Sequence, residues 1–471
     1  MRSGQSHQAL KIVSLAISIF LFGCTVGPDF KPPVAETPEN YRFGDPQTAR
    51  AVNLKWWDLF NDPVLYKLVI MALENNRDLK IAASRVSEAR AVLGFTRADQ
   101  YPALDIEAGA SAGNFSGVRS DDTNTNLFVA PILSWEIDFW GKFRRATEAA
   151  QAELLASEFA LRTVQLSLIS EVVGTYYLLL DFHQRRSISQ NTLKSRVNSL
   201  DIIQQRFDEG IIPEIDVNQA QIQKEIAAAA IPQFERLIAQ NENALSTLLG
   251  QLPKEIQKGR PLASQTIPPD IPTGLPSALL NRRPDIAEAM AVLEAQNALI
   301  GVAEALRYPA ISLTGLLGAA SSELSSVTSE GGIWSVSGGL FGPIYNFGKN
   351  IRRVEIEEER TKQALFIYEN TILTAFKEVE DALVEIETYR EQVAAVTRQR
   401  DAAKNANDLA KERYDQGVTS YLEYLDAERT LFSAELELSE LRQLYLRAYV
   451  KLYKALGGGW ITKAEMTPKT P

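Results

Sequence analysis

Residues 421–455 read YLEYLDAERTLFSAELELSELRQLYLRAYVKLYKA, and within them Tyr424, Ala427, Leu431, Ala434, Leu438, Leu441, Tyr445, Ala448, Leu452 and Ala455 follow at alternating spacings of three and four. That rhythm is a coiled-coil seam, with small residues that let helices approach closely. Between Gly348 and Gly457 the sole glycine or proline is Gly417, so the stretch reads as two long helices meeting at one turn. The outgoing arm answers with Val379, Ala382, Ile386, Tyr389, Val393, Val396, Ala403, Ala410 and Tyr414, interrupted at Arg400 and Asn407. At 1.5 Å of rise per residue, an arm from Lys349 to Gln416 extends about 100 Å, far beyond an ordinary globular helix.

Composition narrows the classes. A mean hydropathy of −0.13 excludes a polytopic helical membrane protein. A net charge of −10 with no basic stripe argues against a nucleic-acid partner. One cysteine and two histidines rule out an intrachain disulfide and leave almost nothing from which to build a Cys or His metal site.

Arg2 and Lys11 flank the start of an apolar run, Ile12 to Phe22, which has the length of a signal-peptide core. It ends in Leu21-Phe22-Gly23-Cys24, which resembles the bacterial lipoprotein box, in which the cysteine is lipidated and becomes the mature amino terminus. Thr25 stands where inner-membrane retention favours Asp, so the expected address is the outer membrane. A Pro- and Gly-rich stretch, Val26 to Pro46, reads as an extended tether lying on the folded body. A helical segment then runs broadly from Asp62 to Gln100 and stops sharply at Tyr101-Pro102.

The period next changes to two. Leu104, Ile106, Ala108 and Ala110 alternate with polar or small residues, and Leu127, Val129, Pro131, Leu133, Trp135, Ile137 and Phe139 do the same after a polar loop, which predicts a β-hairpin. Helical period returns from Lys142 to Asp208, and after Gly210 a second helix runs towards Gly250, with Pro213 in its first turn and Pro232 expected to kink it.

This half recurs. Pro102 and Pro309, Gly141 and Gly348, Gly210 and Gly417, and Gly250 and Gly457 each lie 207 residues apart, within matching surroundings such as Arg206-Phe207-Asp208-Glu209-Gly210 and Arg413-Tyr414-Asp415-Gln416-Gly417. A constant offset means a structural duplication. The chain therefore divides into a signal peptide (1–23), a lipid-anchored extended segment (24–61), a first repeat (62–250, β-hairpin 103–139, tip near 210), a linker (251–276), a second repeat (277–457, β-hairpin 309–346, tip near 417) and a tail (458–471).

Four strands of membrane-spanning length with one apolar face predict a membrane β-protein, but four cannot close a barrel. Open edges in lipid leave backbone groups unpaired at several kcal/mol each, so several chains must share one barrel. The fold class expected is mainly α with membrane β.

The whole chain resembles the TolC-like outer membrane factors, in their NodT-type lipoprotein branch. The resemblance rests on Cys24 followed by Gly27-Pro28-Asp29, on Trp56-Trp57-x-x-Phe60, on Leu275-Pro276-Ser277-x-Leu279-Leu280-x-x-Arg283-Pro284-Asp285-Ile286, and on Leu425-Asp426-Ala427-x-Arg429. It implies a homotrimer whose twelve pooled strands form one outer-membrane β-barrel, continued by a long coiled-coil α-helical barrel through the periplasm. It further implies an exit duct of a tripartite efflux pump, joined by a periplasmic adaptor to an inner-membrane transporter of the resistance-nodulation-division type. No cofactor is implied. The duct of a metal-ion exporter or of type I protein secretion remains as an alternative, and a structural coiled-coil lipoprotein as a remote one.

Leu422, Asp426 and Arg429 share one helical face beyond the second tip. Spacing alone suits an exposed ion pair worth a few tenths of a kcal/mol; the resemblance implies a periplasmic gate. The first repeat has Ile215, Gln219 and Ile222 there, without the charges. Arg206 with Gly210, and Arg413 with Gly417, mark the two tips, which by resemblance meet the adaptor and by chemistry are also helix ends capped by glycine and a cation. Trp135 and Trp334 suit an interfacial aromatic belt or a deeper lipid-facing position. His183 stands alone on a long helix and reads as structural. Carboxylates are spread along helix faces without acid–base pairing, and no nucleophile elbow or triad histidine is present, so an enzyme is not expected.

Overall fold

The computed structural model describes residues 24–44, 62–113, 124–268, 276–322 and 332–458. The expected signal peptide, the Trp56-Trp57-x-x-Phe60 motif, the loop at 114–123, the proline-rich end of the linker with Leu275, and the tail from 459 lie outside the described residues.

In chain order the elements are α1 (Pro63–Asn75), α2 (Arg77–Ala98), β1 (Ala103–Gly113), β2 (Asn124–Ile137), α3 (Lys142–Asp208), α4 (Glu214–Leu248), a 3-10 turn (Leu262–Ser264), α5 (Pro276–Arg282), α6 (Pro284–Ala305), β3 (Ala310–Ser321), β4 (Gly332–Phe341), α7 (Lys349–Asp415) and α8 (Tyr421–Ala455). The duplication holds to the residue: α3 and α7 are both 67 residues long, α4 and α8 both 35, α2 and α6 both 22, each pair displaced by 207. Glycines at positive φ recur in the same pairs, Gly141 and Gly348, Gly210 and Gly417, Gly250 and Gly457.

The chain forms two compact units, the first drawn from residues 1–35, 84–159 and 287–370. Its centre is an antiparallel sheet in the order β1-β2-β3-β4. Leu104 faces Leu133, Leu133 faces Gly315, and Gly315 faces Val336, so the alternating apolar residues of all four strands fall on one side. That side is bare: Leu104, Ile106, Leu317, Trp334, Val336 and Leu340 are all strongly exposed. In the same unit Ile300 and Ala303 of α6 pack on Val354 of α7.

The amino-terminal strap is seated in the same unit. Val26 N donates to the Trp140 carbonyl at 3.1 Å, and Asn297 Nδ2 donates to the Pro28 carbonyl at 3.0 Å. Buried Arg145 donates to the carbonyls of Val26 and Gly27 and to the Asp29 carboxylate. Gly27 sits at φ +91°, where a Cβ would stand 2.4 Å from the Gly301 Cα, so the motif Gly27-Pro28-Asp29 is a close-fitting plug.

The second unit draws on residues 36–83, 160–286 and 371–471. The seam positions Val379, Ala382, Ile386, Ala403, Ala410, Tyr424, Ala434, Leu438, Tyr445, Ala448, Leu452 and Ala455 are buried. Towards its end α8 is covered on nearly every side, since Leu446, Tyr449, Val450 and Tyr453 are buried too. The stretch after Gly250 helps cover it: the 3-10 turn packs on α8, and Ile256 and Leu262 are buried. Asp62 ties this strap to the helices, capping α1 through Val64 N and Leu65 N and accepting from Tyr176 and Gln265. Burial would raise its carboxyl, but the hydrogen bonds from Gln265 and Tyr176 and from the cap hold it below the ordinary range.

Two expectations are corrected. The single helix over 62–100 is two, parted at Asn76, whose ψ of 136° ends α1. Its side chain accepts from Leu79 N and donates to the Leu248 carbonyl. The break admits the end of α4, for a Cβ on Gly250 would lie 2.4 Å from the Asn75 carbonyl oxygen. Pro213 is the N-cap of α4 and lies outside its first turn. Pro232, where a kink is expected, lies inside α4 on an exposed face, where the carbonyl it frees can reach water.

Candidate gate and tips

Both tips are built alike. At the first, Gly210 N donates to the Phe207 carbonyl and Ile211 N to the Arg206 carbonyl; at the second, Gly417 N donates to Tyr414 and Val418 N to Arg413. This is the Schellman pattern, which needs a left-handed residue, and the glycines supply φ values of +73° and +71°. A Cβ on either would meet nothing within 4 Å, so conformation alone selects glycine.

The tip cations have partners within the chain. The Arg206 guanidinium lies 4.6 Å from the Tyr414 ring centre, joining the first hairpin to the second. Arg413 pairs with Glu423 at 3.2 Å across the second turn, both half-exposed. Behind the second tip Tyr414, Tyr421 and Tyr424 form an aromatic cluster, Tyr414 stacked on Tyr424 at 6.2 Å. Ile203, Ala220, Ala410 and Leu425 complete that core.

The first turns of α8 thus have two sides. Tyr421, Tyr424, Leu425 and Glu428 face inward, whereas Leu422, Asp426 and Arg429 stand together on the exposed side. No ion pair joins Asp426 to Arg429 among the described residues; the two charges are left facing outward with Leu422. In the first repeat Ile215 and Ile222 are likewise exposed.

Beneath the exposed face lies a pair that spacing did not suggest. Arg196 Nε of α3 is 3.8 Å from Glu428 Oε2, with both side chains almost fully buried. Arg196 Nη1 donates to the Gln223 carbonyl at 2.6 Å, and its guanidinium covers the Phe432 ring at 4.9 Å. Burial pushes the Glu428 carboxyl up against the opposing pull of Arg196, and pushes the Arg196 guanidinium down against Glu428. Because the two residues belong to separate helices far apart in the chain, no periodicity announces them.

Arg283, singled out as part of a motif, is a buried knot: it donates to both Asp285 oxygens, to Glu378 at 2.7 Å and to the Ala455 carbonyl at 3.0 Å. Cys24 is exposed, next to the docked strap. The Trp135 indole donates to the Gln100 carbonyl at 3.1 Å, while Trp334 is 77% exposed on the apolar side of the sheet. His183 Nδ1 lies 3.5 Å from Lys258 Nζ, and burial with the neighbouring Lys258 and Arg186 charges lowers its pKa to about 4. Among the described residues no group of His, Cys, Asp and Glu is placed to hold a metal ion.

Comparison with known proteins agrees with this architecture. The family model for outer membrane efflux protein matches residues 68–251 and again 275–458, two segments displaced by the same 207 residues. The chain is 38% identical over 458 residues to the solvent efflux pump outer membrane protein SrpC of Pseudomonas putida, covering 94% of this chain and 97% of that one. It is 35% identical over 463 residues to the probable outer membrane lipoprotein SilC of Salmonella typhimurium, covering 96% and 99%. It is 34% identical over 463 residues to the cation efflux system protein CusC of Escherichia coli O6:H1, covering 96% and 99%. A crystal structure of CusC superposes with a TM-score of 0.83 over 93% of this chain and 100% of that one.

Proposed function

This chain belongs to the outer membrane efflux protein family, and on that footing we propose that three copies of it form the exit duct of a tripartite efflux pump. The carrying observation is the sheet. Its four strands present one bare apolar side and leave β1 and β4 unpaired at the edges, an arrangement that lipid does not tolerate in a single chain. Pooling strands from several chains closes the barrel. The long hairpins continue the duct into the periplasm, where the tips at Gly210 and Gly417 meet a periplasmic adaptor that links it to an inner-membrane transporter. Energy is supplied by that transporter, and the duct itself has no catalytic role.

In this reading Cys24 carries the lipid, and Leu422, Asp426 and Arg429 line the closed periplasmic end. Their exposure on one chain supports the assignment, because side chains that meet copies of themselves around an axis are bare in the protomer. The relatives are named for solvents in one case and cations in another. Selection of cargo therefore belongs to the transporter.

The test is the oligomeric mass of the detergent-extracted protein together with its single-channel conductance in a planar bilayer. A trimer with a low, mostly closed conductance is expected. A monomer without conductance would overturn the shared barrel.

A further inference from the structure

Arg400 interrupts the seam of α7 at a place where Val393, Val396 and Ala403 set an apolar rhythm. It lines a cavity of about 80 Å³ shared with Gln184 of α3, Leu262 of the 3-10 turn, and Glu435, Ser439 and Arg442 of α8. All of these belong to the second unit.

The donors around this cavity are largely unused. Among the described residues the side chains of Arg442 and Gln184 have no hydrogen-bond or ion-pair partner. Arg400 Nε donates to Asp401 Oδ1 at 2.7 Å, which leaves the two Nη groups of Arg400 without an acceptor among the described residues. Glu435 stands on the same cavity, yet among the described residues no ion pair joins it to either arginine. Ser439 Oγ donates away from the cavity, to Asp181 Oδ1 at 2.6 Å, and Asp181 is itself paired with Arg185.

The charges are of unequal number. Burial, and then the like charge of Arg400, push the Arg442 guanidinium down against the pull of Asp401. Burial raises the Glu435 carboxyl, while Arg400 and Lys404 lower it. Arg400, Lys404 and Arg442 therefore stand against Asp401 and Glu435, with positive charge in excess. Two guanidinium groups with unused donors beside one small space are unfavourable unless an acceptor stands between them.

The repeat shows that helix packing does not demand this arrangement. Displacement by 207 residues turns Arg400 into Leu193, Glu435 into Ala228 and Arg442 into Glu235. The first repeat keeps its seam apolar at that level and has no arginine at either place.

We propose that the cavity binds a small oxyanion, inorganic phosphate or a carboxylate, between the guanidinium groups of Arg400 and Arg442, with the Gln184 amide as a further donor. The forked donors of arginine match an oxyanion in shape as well as in charge. A volume of about 80 Å³ is far below the roughly 300 Å³ at which sites for drug-sized molecules begin, so the occupant is an ion and not exported cargo. Bound there, the ion joins α3, α7 and α8 beside the 3-10 turn and stabilises the second unit by mass action. The site is independent of the shared barrel.

Calorimetric titration of the full-length, detergent-extracted protein with sodium phosphate tests it, at fixed ionic strength in a buffer free of other oxyanions. Saturable binding of one ion per chain is expected. Arg442→Gln and Arg400→Leu, the latter installing the residue of the first repeat, should each weaken it at least about tenfold. Arg398→Gln, on an exposed face of the same helix, should leave it unchanged. Acetate titrated in the same way tells whether a carboxylate or phosphate binds more tightly, and either one lost in both variants supports the site. Native affinity in Arg442→Gln and Arg400→Leu, or no saturable binding of either ion to the native protein, would overturn it. Should a variant lose its native oligomeric mass, selenate soaked into crystals of the native protein decides: an anomalous peak between Arg400 and Arg442 supports the site, and its absence there overturns it.

Discussion

Arg196 and Glu428 meet at 3.8 Å in the second unit, joining the outgoing arm of the first helical hairpin to the returning arm of the second, and neither carboxylate oxygen of Glu428 has a hydrogen-bond donor. A buried pair so sparsely bonded contributes alignment more than stability. Arg196→Met, which strands the Glu428 charge, is expected to destabilise the fold by about 3–5 kcal/mol. Arg196→Met combined with Glu428→Leu should recover most of that loss. Denaturant unfolding of the two variants beside the native protein measures both, and equal losses would show that the pair is not coupled.

Gly417 and Gly250 both follow helix ends at positive φ but differ in their surroundings, which separates conformational strain from crowding. Gly417→Ala meets open space and carries only the left-handed penalty, about 1–2 kcal/mol. Gly250→Ala adds a collision with the Asn75 carbonyl oxygen at 2.4 Å and should cost distinctly more. Comparing the temperatures at which the two variants lose native mass on mild gels tests the order.

The amino-terminal strap is held chiefly by Arg145. Arg145→Ala removes its bonds to Val26, Gly27 and Asp29. Hydrogen bonds to a charged group are worth about 1.5–3 kcal/mol, so the Val26 amide, which donates to Trp140, should exchange with deuterium at least about tenfold faster. Unchanged protection there would mean that the fit of Gly27 and the bonds to Trp140 and Asn297 hold the strap without Arg145.

Asp426→Ala and Arg429→Ala change only exposed side chains of α8 and should leave assembly intact. In the gate reading each raises single-channel conductance, whereas Ile222→Ala at the corresponding place of the first repeat does so less. Conductance unchanged in both charge variants would remove these residues from the gate.

His183 gives the second unit a pH dependence of definite sign. Its folded pKa, about 4, lies below the ordinary value of 6.5, so the folded state favours the neutral ring. The unfolded chain then binds the proton first as pH falls. Stability from this group is fully present above pH 6.5 and is lost progressively towards pH 4. His183→Gln should flatten the fall in unfolding temperature over that window; an undiminished slope would place the titration elsewhere.

Much of this could be read along the chain. The arms of α7 and α8, the alternation of β1 through β4, and the 207-residue repeat are local or periodic, and helix and strand geometry convert such patterns directly into faces. Leu422, Asp426 and Arg429 were legible as one face for the same reason. The interruption at Asn76 was not, because Asn75-Asn76 is an unremarkable pair until the end of α4 is brought against it.

The sequence by itself therefore determined the long helical arms, the four strands, their apolar side and the repeat that relates them, since each follows from spacing. Only the tertiary structure decided which polar groups meet: Arg196 with Glu428, Arg145 with the strap, Arg283 with Asp285, Glu378 and Ala455, and Trp140 with Tyr308. Most of these join segments far apart in the chain, and a single long-range pair leaves no period in either segment. Their positions are set by how whole helices pack, which a local pattern does not encode.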